Sequence, residues 1–591
     1  MGRADSDAVV DPITVAVVEG VLSATQRAMT HTMEKTGRST VYAIARDYSN
    51  AIFDWDARMV LQGEDIPTHL GSLLLATKTV ARFFEGDINP GDVFFHNDPT
   101  YDGAHIPDMC MYKPVFFEDE LVFWAVAKGH VIDAGGPVPG TYNPDAKEIY
   151  AEGLRIPPIR IVDRGRRRED VINLILTNVR SRANQRGDMN AQFGAVRVAE
   201  QRLTGLLERF GKETVKTACE ELLDLAEEHM RGRIAKLPDG VYRSSVLAED
   251  MGHGHGDQEL RCEVEVRGDD LHVRLDAPPQ LDFFINSYRS NTMSGICAAL
   301  MMFTQVRPPF NEGLYRPLHV DFGPPGTMVN AAEPAPHVNS TGGAQETICD
   351  LVRSALVSID PTNAPAGWNH TWAINIAGVD RRRNAPYLEF IVSSLVGGAG
   401  AVEGVADGWE CVGSQAGLGG AQIGGAELLE LLAPVIVREM SIERDSAIPG
   451  RWRGGCSVVT EIEPLDHEMT VIGWGEGAKI PSASVAGAGA PAETLALKLA
   501  RGWHLRNGEV LREIDRNEIV VVLPGERYRS RAGGGGGAGD PFLRPIERVR
   551  ADVLERKVSL EAARIEYGVV LDPASLEPDL GATETLREGA R

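Results

Sequence analysis

The chain has 591 residues, 43% of them hydrophobic and 24% charged, which argues against a disordered or fibrous protein. Its 60 Lys+Arg against 84 Asp+Glu give a formal net charge of −24, which repels phosphate backbones and argues against a nucleic-acid binder. No apolar window is long enough for a membrane helix, and the acid-bearing start Met1–Asp7 lacks the basic and apolar regions of a signal peptide, so a cytoplasmic protein with no membrane partner is expected.

In chain order, Asp11-Pro12 marks a helix start, and the apolar positions Val15, Val18, Leu22, Met29 and Met33 carry it to Gly37. Thr40–Ala45 and Ala51–Trp55 read as strands flanking Asp47, with a turn at Asp54/Asp56. Pro67–Phe84 reads as a second helix, Val93–Phe95 as a short buried strand, and Asn97–Asp108 as a polar loop. Leu121–Lys128 is a strong strand ending at Gly129-His130. Residues 170–235 are helical, and Leu203, Leu206, Leu207, Val215, Cys219, Leu222, Leu223 and Leu225 form a core or subunit-contact stripe. Short strands follow at Tyr242–Leu247, Leu260–Val266 and Leu271–Leu275, then a buried helix at Asn291–Thr304. Further strands are expected at Met469–Ile472 and Ile519–Leu523, and closing helices at Arg548–Lys557 and Ser559–Glu566.

The order of elements predicts a multi-domain α+β fold with mixed or antiparallel sheets and segregated helices. Three domains are expected: a metal-bearing one over 1–238, a central one over 239–460, and a β-rich one over 461–591 with a Gly-rich loop and closing helix. The stretch 397–425 is Gly-rich, and the runs Gly397–Gly400 and Gly533–Gly539 read as flexible loops. The seven cysteines are scattered, odd in number and without C-x-x-C, which predicts reduced thiols.

Chemistry concentrates in His96-Asn97-Asp98-Pro99-Thr100-Tyr101-Asp102-Gly103-Ala104-His105-Ile106-Pro107-Asp108 and in His130. His105 and Asp108, spaced H-x-x-D in a loop, can fold onto one divalent transition ion, with His130 and Asp47 as further ligands. Imidazole suits Zn, and carboxylates shift the choice toward Mn or Fe. The same residues suit a polar turn whose Asp residues cap amides, and spacing alone favours that plainer reading. His253 and His255 read as loop residues. There is no G-x-x-x-x-G-K-[ST] phosphate loop, so the chain is not expected to bind ATP alone, and no G-x-S-x-G elbow around Ser414 or Ser457.

The segment Asn97–Asp108 resembles the N-D-P-Y-x-G-G-T-H-x-x-D motif of the hydantoinase B/oxoprolinase family. So do Gly129-His130 with Gly135-Gly136, Glu64–Ser72, Glu152–Pro158, Asn311-Glu312-Gly313, and the tail Gly533–Pro541 with Tyr567–Leu571. Val131 stands where the family often has a second His, and Thr100 displaces the motif's Tyr. The resemblance raises the metal above the polar turn and implies ligands at Asp47, His105, Asp108 and His130. It implies a hydantoinase A-like partner subunit of actin/sugar-kinase type that binds ATP and Mg, in a hetero-oligomer such as a heterotetramer. The implied activity is ATP-dependent hydrolysis of a small cyclic amide: hydantoin, lactam or oxoproline. Asp98, Glu64 and His69 are the candidate general bases or proton shuttles, Asp98 and Glu64 also serving as caps or ligand-orienting acceptors. The alternatives are a subunit of a ketone carboxylase of acetone or acetophenone type, and a non-catalytic scaffold for the ATPase partner.

Overall fold

The computed structural model describes residues 10–63, 65–66, 69–306, 310–415, 417 and 420–589. Helix α1 (Pro12–Thr36) begins and ends where the sequence indicates. The Asp11 carboxylate accepts the amides of Ile13 and Thr14 at 3.1 Å, Pro12 fills the first turn, and Gly37 closes the helix. The run Thr40–Ala45, expected as a strand, is a π-helical turn over Val41–Ala45. Side chains account for the difference. Asp188 accepts the amides of Arg38 and Ser39, Ser39 Oγ accepts that of Tyr42, and Arg46 takes φ 57°, so the apolar run is wound rather than extended.

The first sheet holds β1 (Tyr48–Asp54), β2 (Met59–Gln62), β3 (Val93–His96), β4 (Asp108–Phe117), β5 (Glu120–His130), β6 (Ile159–Asp163) and β7 (Arg166–Arg167), in the order β2-β1-β5-β4-β3-β6-β7. Helices α2 (Leu70–Phe83), α3 (Glu169–Thr177), α4 (Arg182–Phe210) and α5 (Lys212–Ile234) surround it. Helix α4 packs on β4 and β5, and α1 packs on α4. All seven residues of β1 are buried, so this strand cannot show polar alternation. Strand β4 was not expected. Its Pro114 lies beyond the stretch that β3 pairs (Cys110 to Tyr112), so the missing N–H leaves no gap in that ladder.

The second sheet, β11-β10-β9-β8, is built from β8 (Gly240–Ala248), β9 (Gln258–Arg267), β10 (Asp270–Asp276) and β11 (Leu318–Asp321). Helices α6 (Arg289–Thr304) and α7 (Ala344–Val357) pack on each other, and α7 lies on β8 and β9. The third and fourth sheets interleave along the chain. Strands β12 (Trp372–Asp380), β13 (Ala385–Phe390), β16 (Met469–Gly475) and β19 (Glu518–Val522) pair as β13-β12-β16-β19. Strands β14 (Val435–Ile442), β15 (Val458–Pro464), β17 (Arg501–Arg506), β18 (Glu509–Ile514) and β20 (Glu526–Arg531) pair as β14-β15-β20-β17-β18. Residue 460, a domain boundary in the sequence reading, lies inside β15. Short α8 (Ala426–Leu432), then α9 (Ile546–Leu554), α10 (Leu560–Tyr567) and α11 (Leu580–Gly589) complete the α+β architecture. No helix among the described residues is long and apolar enough to cross a membrane. All seven cysteines are free, and six are buried.

The tail run 533–539 corrects an expectation. It is buried throughout, not a flexible surface loop. Its backbone threads between Gly398, Ala399, Gly454 and Gly455. A Cβ on Gly535 would stand 1.8 Å from the Ala399 carbonyl, and one on Gly398 1.9 Å from that of Gly455. Glycine is used here for contact between main chains.

Candidate metal centre

Strand β4 opens at Asp108 and β5 closes at His130, and the register sets these two residues directly opposite each other. His105 sits on the turn before β4, closed by the Asp108 amide donating to the His105 carbonyl at 2.8 Å. Asp47 precedes β1, and its carbonyl accepts the His130 amide at 3.0 Å. His69 stands immediately before α2, its side chain making no capping bond to the helix. All five side chains line one cavity.

The distances test a metal directly. His105 Nε2 lies 3.1 Å from Asp108 Oδ1 and 3.2 Å from His130 Nδ1, and the third edge, His130 Nδ1 to Asp108 Oδ1, is 3.5 Å. Donors held ~2.0–2.2 Å from one zinc-like ion stand about 3.0–3.5 Å apart in tetrahedral or octahedral arrangements. His105 Nδ1 donates to the Val338 carbonyl at 2.8 Å, which turns the lone pair of Nε2 toward the other two donors. Among the described residues, only His105, Asp108 and His130 converge in this way. The donor set fits a divalent transition ion. Asp47 Oδ2 lies 3.9 Å from His130 Nδ1, and His69 Nε2 lies 3.6 Å from Asp108 Oδ2 and 3.8 Å from Asp47 Oδ1.

Burial works against the Asp108 charge, yet His105, Lys128 and His69 together hold its carboxyl well below the usual range. Burial also opposes a charged His130, but Asp108 and Asp47 raise its pKa above the ordinary value. Burial and the Lys128 charge push His69 down, so it is neutral at pH 7. The Ser49 hydroxyl donates to the Ile66 carbonyl, so His69 Nδ1 donates to Ser49 Oγ at 3.0 Å and Nε2 keeps its lone pair on the cavity side.

Sequence reasoning missed Lys128. Its Nζ lies 2.9 Å from Asp108 Oδ2 and donates to Ser72 Oγ at 2.8 Å. The available signal was its place two residues before His130, on the same face of β5. Also missed were Tyr142, Phe390 and Trp474, which wall the cavity. Tyr142 and Trp474 stack at 3.8 Å and 2°, and Trp474 Nε1 donates to Asn375 Oδ1 at 3.1 Å.

Of the candidate bases, His69 joins the cluster. Glu64 lies outside the described residues. Asp98 does not line the cavity. It caps the turn Pro99–Tyr101 and pairs with Arg155 at 3.0 Å, as a structural cap would. His96 is buried in β3 away from the cavity, and burial pushes its pKa down to about 4. His253 and His255 lie in a loop, with His255 Nε2 2.7 Å from Asp282.

Behind His105, the buried Glu152 carboxylate accepts the amides of His337 and Val338 at 2.7 and 2.8 Å, fixing the carbonyl that orients His105. Burial pushes this carboxyl up to about 8. The native state therefore keeps a proton that the unfolded chain releases above ~4.3, and this contribution to stability is lost as pH rises toward 8. Glu152→Gln is expected to fold and to show a smaller fall in thermal midpoint between pH 6 and 8.5. An unchanged pH slope would remove this role from Glu152.

Comparison with known proteins agrees with the motif reading. The family model for hydantoinase B/oxoprolinase matches residues 11–541. Caprolactamase subunit beta of Pseudomonas jessenii is 52% identical, over 95% of this chain and 97% of that one. The crystal structure of the ATP-dependent caprolactamase from Pseudomonas jessenii superposes with a TM-score of 0.93 at 49% identity, covering 98% of this chain and 100% of that one. A nucleotide-free acetone carboxylase chain shares the fold, with a TM-score of 0.88 at 17% identity over 98% and 83% of the two chains. With the motifs, the fold and these matches all spanning nearly the whole sequence, the chain belongs to the hydantoinase B/oxoprolinase family.

Proposed function

We propose that this chain is the metal-bearing subunit of an ATP-dependent cyclic-amide hydrolase, opening a lactam, hydantoin or oxoproline-type ring. The observation that carries the reading is the triangle of His105 Nε2, Asp108 Oδ1 and His130 Nδ1, with edges of 3.1, 3.2 and 3.5 Å, in a cavity walled by Tyr142 and Trp474. The 52% identity to a caprolactamase subunit supports the substrate class. That relative's description as a subunit supports a hetero-oligomer, and the ATP-dependent caprolactamase structure supports the use of ATP, which this reading assigns with Mg to the partner chain.

An amide resists water through resonance. In this reading the partner transfers the γ-phosphoryl group of ATP to the amide oxygen, which makes the ring carbon electrophilic. Asp47, His105, Asp108 and His130 would hold the ion. When bound, a divalent Zn, Mn or Fe supplies positive charge that acidifies water and polarises the carbon–oxygen bond. His69, neutral and with Nε2 facing the cavity, accepts the proton of the attacking water. Lys128 holds Asp108 Oδ2, which keeps Oδ1 on the side of His105 and His130. The Tyr142–Trp474 wall takes the ring's methylene groups and excludes water. Water adds to the activated carbon, the C–N bond breaks as the amine leaves protonated, and a second water hydrolyses the resulting acyl phosphate to carboxylate and phosphate.

Assay of the purified pair with caprolactam and Mg-ATP tests this. Ring-opened amino acid and phosphate are expected in equal amounts, without bicarbonate, and metal-depleted protein should be inactive until a divalent transition ion is returned. A bicarbonate requirement would instead support the ketone carboxylase, and full turnover by metal-free protein would overturn the metal's role.

A further inference from the structure

A second cavity, of about 690 Å³, is lined by residues of β8 and α7, by His370 just before β12, and by Glu476 just after β16. It stands back to back with the metal cavity, because Thr371, next in the chain to His370, lines the other side and donates to Ser414 Oγ at 2.7 Å.

Its wall is anionic. Glu249, Glu259, Asp350 and Glu476 line it together with one imidazole, and among the described residues no lysine or arginine does. His370 bridges two of the acids, with Nε2 2.8 Å from Asp350 Oδ2 and Nδ1 3.3 Å from Glu476 Oε2. Burial opposes its charge, but these carboxylates raise its pKa well above the usual value. Asp350 is further held by Arg353 at 2.8 Å. Thr347 donates to Glu476 Oε2 at 2.8 Å, yet Glu476 Oε1 has no hydrogen-bond partner, although the residue is only 1% exposed. Glu249, 2% exposed, accepts the amides of Ala478 and Lys479, and burial with the Glu476 charge pushes it up to about 7.

An unpaired carboxylate oxygen so deeply buried calls for a donor. A phosphate or carboxylate ligand would meet like charge, and the one imidazole of the wall, His370, is already held between Asp350 and Glu476. A metal ion is disfavoured, because among the described residues only His105, Asp108 and His130 converge their donor atoms. The rest of the wall includes Val246, Ile448 and Ile480, an aliphatic surface. We propose that this cavity binds an aliphatic primary ammonium ion, which donates to Glu476 Oε1 and lays its hydrocarbon chain on the Val246, Ile448 and Ile480 wall. The amine end of a ring-opened cyclic amide belongs to this class; that link rests on the hydrolase reading, whereas the binding site does not.

Calorimetric titration of the full chain with n-hexylammonium chloride tests the site, with sodium hexanoate as the anionic control. Saturable binding at one site is expected for the ammonium and none for hexanoate. Glu476→Gln removes the charge and should weaken binding about tenfold or more, the worth of a charged hydrogen bond. Ala488→Trp, which sets a bulky ring in the cavity without altering the acids, should weaken it likewise and serves if Glu476→Gln does not fold. His105→Ala should leave the affinity unchanged, so failure of the metal reading and failure of this one are separable. Absence of saturable binding, equal binding of hexanoate, undiminished affinity in a folded Glu476→Gln or in Ala488→Trp, or loss of binding in His105→Ala would overturn the proposal.

Discussion

Replacing His105 with alanine is expected to lower turnover of the assembled complex by about 10³-fold or more. The substitution deletes one corner of the donor triangle and leaves the Val338 carbonyl without its 2.8 Å donor. A metal contributes several kcal/mol to such a reaction, and each ~1.4 kcal/mol is a factor of ten in rate. The test combines steady-state kinetics, elemental analysis and size-exclusion chromatography with the partner. Metal content should fall with turnover while assembly persists. If the variant assembles, turns over normally and keeps its metal content, the scaffold reading stands and the catalytic one fails.

The largest expected effect on stability is at Gly535. Alanine there would set Cβ 1.8 Å from the Ala399 carbonyl oxygen, a main-chain atom that a side-chain rotation cannot move aside. The segment facing it is itself pinned, since the Ala399 amide donates to the Trp409 carbonyl and the Ala399 carbonyl accepts from Gly455. Separating the strands of this seam should cost about 3 kcal/mol, the upper end of what overpacking costs. Gly205→Ala is the matched control: it lies on α4 with nothing within 4 Å, and alanine should add ~0.5–1 kcal/mol. A chain with several sheets need not unfold in two states, so thermal midpoint and soluble yield are the readouts. Equal behaviour of the two variants would refute the account of the seam.

Much of the site was legible locally. Asp11-Pro12 and Gly37 delimit α1 because capping chemistry is written into neighbouring residues. The apolar run ending at Gly129-His130 is β5, and Asp47, His105, Asp108 and His130 come together because strand ends and the turn before β4 bring them there. What escaped was non-local. Strand β4 hides behind Pro114 and an apolar pattern without alternation, since its first eight residues are buried. Val41–Ala45 is wound by an Asp188 contact from far along the chain, which propensity cannot register. Lys128 read as the end of a strand until Asp108 was set beside it. Tyr142, Phe390 and Trp474 reach the cavity around His105 and His130 from distant segments and carry no local mark. The tail glycines read as freedom of the chain because composition does not reveal what presses on them.

The interleaving of the last two sheets bears on how the protein is made. Strands β12 to β15 leave the ribosome long before β19 and β20, yet β16 needs β19 at its side and β15 needs β20. Until residue 522 emerges β16 lacks its partner, and until residue 531 emerges so does β15; strands left unpaired in this way are the condition in which nascent chains stick to one another. The seven-stranded sheet, complete by residue 167, has no such wait. Synthesis thus yields a finished front half tethered to an unfinished rear half, and Trp474 completes the wall of the cavity around His105 and His130 only once that rear half has closed.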